Sequence, residues 1–343
     1  MPTQRDVARA AGVSSATVSR FLADSRSLRS ETAEKVRAAV ELLGYQVDYS
    51  AQCLKTGIYN HIGILAPGIG PFYWEVYTWL QYHLNAAGYF CTIFFTRDVA
   101  DLSHSFRTEV PPFLRKRQLD GLVFFPLLCA EDDALLLLLR DWGKPVVVVD
   151  RPLDEGAQPQ AFIDNYSGGW AAADALVSAG HRRFLHVAGT ADSPAAADRS
   201  RGFADRLAEA GLPWDGDRII AGDFAAAATY RAARAYLESA PPFTAVFAAN
   251  DSSALGFMRA ASERGLLCPR DYSIVGFDDN VEYTPFMAPA LSTFSQPLRE
   301  LGAAAADILL RLIAGETVAE RRRSFVPRYV ARESVAAPPA GRA

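Results

Sequence analysis

From His61 onward, short apolar β-rich runs alternate with helix-like stretches, and this alternation constrains the fold more than any other feature of the chain. The runs read HIGILAP, FCTIFFT, GLVFFPLL, PVVVVD, AFID, RFLHVAG, RIIAGDF, AVFAAN and SIVGFD. Helical patterns separate them at 76–87, 132–142, 166–179, 198–210 and 252–264. Continuous apolar strands joined by helices indicate parallel sheets covered on both faces. About ten strands are more than one twisted sheet holds comfortably, so two α/β lobes are expected.

Residues 3–45 have a different character: three short helical patterns and no strand. Thr3 and Asp6 have capping-box spacing and open a helix carrying Val7, Ala8 and Ala11. Gly12 ends it, Ser14 can cap a second, and Ser30 starts a third that stops at Gly44. The stretch AGVSSATVSR (11–20) has a glycine turn between two helices, as a helix-turn-helix requires. Ser14, Ser15, Ala16 and Thr17 would then begin the recognition helix. They are small enough for close approach and carry hydroxyls for phosphate or base edges, while Ala16 can meet a thymine methyl. Arg20, one turn further on, can reach guanine O6 and N7. Pattern alone leaves a second reading open, a three-helix packing element with solvated serines and arginine.

Charge is consistent with a DNA-reading head. Net charge is −4, but residues 1–60 hold eight Lys/Arg and six Asp/Glu, leaving the head at +2 and the remainder at −6. The four cysteines (Cys53, Cys91, Cys129, Cys268) and five histidines (His61, His83, His104, His181, His186) form no metal-ligand pattern, so no metal and no cofactor is expected. The N-terminal residues have no signal-peptide pattern, and the longest strongly apolar stretch, Ala134–Leu139, is too short to span a bilayer. The expectation is a reduced, cytoplasmic protein with no membrane partner.

Carried by residues 3–20 (TQRDVARAAGVSSATVSR) and 30–45 (SETAEKVRAAVELLGY), the chain resembles the lactose/galactose repressor (LacI/GalR) family. The likeness continues in order through IGIL (62–65), DGLVFFP (120–126), VVDRP (148–152), IDN (163–165), GHRR (180–183), RSRGF (199–203), GDF (222–224), NDSSALG (250–256), SIVGFDD (273–279) and LSTFSQP (291–297). It implies an all-α helix-turn-helix head at 1–46, a hinge helix and linker at 47–60, and a two-lobed periplasmic-binding-protein-like α/β body with parallel sheets at 61–335. The N-lobe is expected at about 61–161 and 293–318, the C-lobe at about 162–292 and 319–335. A disordered Pro/Ala/Gly-rich tail is expected at 336–343.

The resemblance further implies a homodimeric transcriptional regulator, a repressor, on a pseudo-palindromic double-stranded operator with a central CG. Thr3, Ser14, Ser15, Ala16, Thr17, Ser19 and Arg20 would contact DNA, and Leu54 would wedge between central base pairs. Leu54 as an ordinary core leucine is the alternative. After Glu333 the chain has prolines and no heptads, so a dimer rather than a tetramer is expected. The linker departs from the family: Val47 and Asp48 stand where Pro-Asn is usual, and Gln52 where arginine is usual. Asp48 can cap a hinge helix but brings negative charge toward phosphate. The implied hinge folds less readily. Cys53, where dimer hinges approach, is expected to act as a reduced small hydrophobe rather than a redox switch.

Ligands of open α/β sheets bind beyond the carboxyl ends of the strands. Asp150, Arg151, Asp164, Asn250, Asp251 and Asp278 follow such ends, and aromatic faces are available at Phe72, Tyr73 and Phe224. The resemblance puts Arg199, Phe224, Asn250, Asp278 and Gln296 where relatives touch effectors. The expected effector set is Phe72, Tyr73, Asp150, Arg199, Phe224, Asn250, Asp278 and Gln296, and the expected effector is a sugar or sugar derivative. Asp164 and Asn165 can instead cap the following helix, Asp278 and Asp279 a turn, and Phe224 can be core. A hydrolase lacks any catalytic motif here. A secreted sugar-binding protein would need no residues 3–45, and a regulator with a protein effector stays open.

Overall fold

The first helix, α1 (Gln4–Ala11), starts in a capping box formed by Thr3 and Asp6, and Gly12 closes it in the left-handed conformation (φ 67°). It packs with α2 (Ser15–Ala23) and α3 (Ser30–Leu43) around Val7, Val18 and Val36, all fully buried. Gly44 (φ 58°) ends α3. The computed structural model describes residues 2–23, 28–45, 57–66, 68, 70–95, 110, 112, 114, 118–126, 130–150 and 158–339. Residues 46–56, including Asp48, Gln52, Cys53 and Leu54, lie outside the described residues, as does Arg151. The chain divides into two units, Met1–Tyr59 and Asn60–Ala343.

In the second unit, six parallel strands form one sheet: β1 (His61–Ala66), β2 (Phe90–Phe95), β3 (Gly121–Phe124), β4 (Val146–Val149), β5 (Gln160–Ile163) and β11 (Arg322–Phe325), in the order β11-β5-β4-β3-β1-β2. The four valines of β4 are buried on both faces, which is why the run does not alternate with polar residues. One face is covered by α4 (Pro71–Ala86) and α10 (Leu298–Ile313), the other by α5 (Ala130–Trp142).

The second sheet has the order β7-β6-β8-β9, from β6 (Phe184–Val187), β7 (Ile219–Ile220), β8 (Ala245–Ala248) and β9 (Ser273–Val275). Helices α6 (Asn165–Ser178) and α7 (Pro194–Glu209) cover one face, and α8 (Ala226–Tyr236) and α9 (Asp251–Glu263) the other. A two-stranded antiparallel ribbon pairs β10 (Thr293–Ser295) with β12 (Arg328–Val330). The chain passes between the two lobes after Ile163, after Ser295 and after Phe325.

Two expectations are corrected. The segment 319–335 does not belong wholly to the C-lobe: β11 pairs with β5 at the edge of the N-lobe sheet, Phe325 opposite Ile163. An edge strand need not be apolar, so RRSF carried no strand signal. The tail, expected to loosen from Ala336, begins packed: the Ala336 amide donates to Ser273 Oγ (3.0 Å), and its carbonyl accepts from the buried His181 ring (3.0 Å). A buried histidine and serine need partners, and the tail backbone supplies them.

His186 is fully buried, stacked on Phe247 (4.9 Å between ring centres) and on Phe203, and its ring lies 2.8 Å from Ser200 Oγ. Burial pushes its pKa down to about 4. The unfolded chain takes up this proton near pH 6.5 and the folded one does not, so His186 favours folding above pH 6.5. That contribution, about 3 kcal/mol, is lost as the pH falls to 4. Urea unfolding between pH 4 and 7 should therefore give a shallower acid-side loss for His186→Gln than for the natural chain; parallel curves would refute the assignment.

Candidate functional site

On α2, the exposed face carries Ser15, Ala16, Ser19 and Arg20, while Val18 points inward and is fully buried. Ser14 caps the helix: its hydroxyl oxygen accepts from the Thr17 amide (3.1 Å) and lies 2.9 Å from Thr17 Oγ1. No acidic residue sits in the first turn, so the positive end of the helix is uncompensated and can receive a phosphate. Thr3 is occupied locally, its hydroxyl donating to Asp6 Oδ2 at 2.7 Å. Of the residues expected to touch DNA, Thr3 and Ser14 thus serve as caps, Thr17 is half-buried, and the other described ones form one exposed surface.

In the body, all eight residues of the expected effector set line one cavity of about 250 Å³ between the lobes. Phe72 and Tyr73 come from the first turn of α4 and Asp150 from the end of β4. Arg199 stands on α7, Phe224 precedes α8, Asn250 precedes α9, Asp278 follows β9, and Gln296 lies between β10 and α10. Strand ends and helix starts converge there because each parallel strand hands over to its helix on the same side of the sheet.

Arg199 is the central cation. It is 5% exposed, and it donates from Nε to Asn165 Oδ1 (2.8 Å) and from Nη1 to the Ala249 carbonyl. Asp278 Oδ1 lies 3.9 Å from Nη1, and the guanidinium carbon sits 3.7 Å from the centre of the Phe277 ring. Burial raises the Asp150 pKa to about 6 against the opposing pull of Arg199, and it raises Asp278 likewise. Both carboxyls are therefore held above the ordinary aspartate range, yet they remain mostly ionised at pH 7, beside the buried Arg199.

Three wall residues, Asp150 (φ 81°), Phe224 (φ 64°) and Asp278 (φ 111°), have left-handed backbones. For phenylalanine this is a true outlier, costing about 1–3 kcal/mol. The surroundings enforce it: Asn250 Nδ2 donates to the Phe224 carbonyl (3.1 Å), and the ring lies where Gly189 would carry a Cβ. Asn250 also caps α9 through Ser253 N (2.9 Å), so its cap and cavity-wall roles coexist.

Neighbouring polar residues divide into wall and support. Asp164 caps α6, accepting from Ser167 N (2.9 Å) and Ser167 Oγ (2.7 Å), and it does not line the cavity. Asp279 pairs with Arg332 (2.6 Å). Asp251, wholly buried, accepts from Asn280 N (2.8 Å) and Thr293 Oγ1 (2.5 Å) and so fixes the turn after Asp278. Sequence reasoning missed Asn165, Ser193, Asp198, Ser252, Asn280 and Tyr283 in the wall. A signal existed for Ser193, a cap just before Pro194 at the start of α7.

A helix-turn-helix head joined to a two-lobed α/β body, with a partly open cavity lined by polar and aromatic side chains, defines a ligand-responsive DNA-binding regulator. Residues 3–48 match the family model for bacterial regulatory proteins, lacI family, and residues 173–335 match the periplasmic binding protein-like domain. The HTH-type transcriptional repressor PurR of Erwinia tasmaniensis is 32% identical over 340 residues, covering 98% of this chain and 97% of that one. The lac repressor dimer bound to operator and the anti-inducer ONPF superposes with a TM-score of 0.85 at 27% identity, over 98% and 99% of the two chains. The transcriptional regulator CelR in complex with cellobiose gives 0.73 at 28% identity, over 98% and 100%. The chain belongs to the LacI family of bacterial regulatory proteins. It is a transcriptional repressor with a DNA-binding and an effector-binding domain, not an enzyme. Among the described residues no helix is long and apolar enough to cross a membrane.

Proposed function

We propose that the chain acts as a homodimeric repressor on a pseudo-palindromic operator. Its affinity for the operator is set by a sugar or sugar derivative of about monosaccharide size bound between the lobes. The convergence of Phe72, Tyr73, Asp150, Arg199, Phe224, Asn250, Asp278 and Gln296 on one cavity carries the effector half of this reading. At about 250 Å³ the cavity lies just below the ~300–1,000 Å³ usual for small-molecule sites, so a single ring suits it. Carboxylates, amides and an arginine match ring hydroxyls, and the Tyr73 and Phe224 rings match the apolar face of a sugar. The relative CelR, in complex with cellobiose, supports a carbohydrate ligand. Ligand acts through its unequal affinity for two arrangements of the body.

On the DNA side, Ser15, Ala16, Ser19 and Arg20 are the proposed reading face, with Thr3, Ser14 and Thr17 setting the helix against phosphate. Leu54 remains the proposed minor-groove wedge. Selection from randomised duplexes should yield a two-fold site. Arg20→Ala should then weaken the selected site by about 1–3 kcal/mol, roughly 5- to 150-fold, in fluorescence anisotropy at fixed salt. Unchanged affinity would remove Arg20 from base reading. Release or tightening of that operator by a panel of sugars and nucleobases tests the effector half.

A further inference from the structure

The cavity wall, among the described residues, is short of positive charge. Among the described residues its charged members are Asp150, Asp198, Asp278 and Arg199. Asp198 is matched by Arg201 at 2.7 Å, which leaves Asp150 and Asp278 to share Arg199. Behind the wall, Asp279 is balanced by Arg332, and burial raises the pKa of Asp251 to about 8, so this carboxyl is largely neutral at pH 7 and leaves the balance unchanged. Arg199 itself is engaged with Asn165 and the Ala249 carbonyl.

Unmet hydrogen-bonding capacity has the same sense. Gln296 is 6% exposed and lines the cavity; its Nε2 donates to Asp278 Oδ1 (2.6 Å), and its Oε1, fully buried, has no partner. A buried orphan acceptor calls for a donor from the ligand. Helix N-termini around the cavity do not reverse the balance. Those of α6, α7 and α9 are capped by Asp164, Ser193 and Asn250, and Asp223 accepts from the Ala225 amide at the start of α8. The start of α4, at Gly70, lines the cavity with no side-chain cap, but a helix end supplies only about half a positive charge, against two carboxylates. An anionic ligand would meet carboxylates from both lobes.

Resting on the effector reading above, we propose that the cavity takes a monosaccharide-sized ligand bearing a protonated amine, the hexosamine class, with its ammonium shared by Asp150 and Asp278. The amine supplies the missing charge and several donors at once. Its hydrogen bonds are charge-assisted, which distinguishes it from a hydroxyl at the same position.

Calorimetric titration of the full chain with glucosamine, galactosamine and mannosamine, their parent hexoses and the hexose 6-phosphates tests this. At least one hexosamine should bind about tenfold tighter than its parent hexose, with the phosphate weaker than both. In Asp150→Asn that preference should shrink to about twofold or less. Asparagine tolerates the left-handed backbone at this position, so the variant should fold, and circular dichroism checks that it does. A parent hexose or a phosphate binding tighter than the amine would overturn the charge inference and leave the sugar reading standing. Binding by none of these compounds would overturn both.

Discussion

Replacing Arg199 by alanine should destabilise the body by about 3–5 kcal/mol and abolish its response to effector. The guanidinium is 7% exposed at the side chain and faces Asp278 at 3.9 Å, while Asp150 senses its charge from the opposite lobe. Removing one partner of a buried ion pair leaves the other buried and uncompensated, which costs more than the pair itself contributed. Two carboxyls are left here, so their protonation should rise in the variant. Urea unfolding measures the stability loss. Operator binding by the head, followed with and without effector at low temperature, measures the response. Arg199→Lys keeps the charge but not the planar fork that reaches Asn165 and Ala249 together, and it should recover part of the stability without the full response. Wild-type stability for Arg199→Ala would show that the ion pair is not the support described above.

Gly202→Val should cost about 3 kcal/mol or more, at the upper end of what overpacking usually costs. On α7, a Cβ at Gly202 would run into the Tyr166 carbonyl of α6, and reciprocally a Cβ at Gly169 on α6 would run into the Arg199 carbonyl. The two helices touch backbone to backbone, and neither carbonyl can step aside without breaking its own helix. The pair must separate, and Arg199 moves with α7. Thermal unfolding should fall sharply, and effector affinity should fall with it even where the chain stays folded. Gly216, with open space around it, is the control: Gly216→Ala should leave both unchanged. A Gly202→Val chain as stable as the control would mean that the close approach is not required.

That these residues line one cavity was legible because polar residues that follow apolar strands in an α/β chain have few places to go. Asp150, Asn250 and Asp278 end strands, and Phe72 and Tyr73 begin a helix, so chain order alone brings them to one side of a sheet. The neighbours Asp164 and Asp279 look the same in sequence and do other work, one capping α6 and one holding Arg332. Nothing local separates them: which of two adjacent carboxyls faces a cavity depends on a backbone angle such as the φ of 111° at Asp278 and on partners dozens of residues away.

By itself, the sequence determined the three-helix head, the strand–helix alternation and the caps that begin and end the helices. These rest on interactions within a few residues, through capping, side-chain periodicity and the left-handed freedom of Gly12 and Gly44. Only the tertiary structure decided that the polar strand Arg322–Phe325 edges the N-lobe sheet, that Ala336 is tied to Ser273 and His181, and that Gln296 keeps a buried oxygen without a donor. Each of these depends on a partner far along the chain. Long-range hydrogen bonding and burial leave no periodic signature in a single sequence, because the energy resides in the pairing and not in either partner alone.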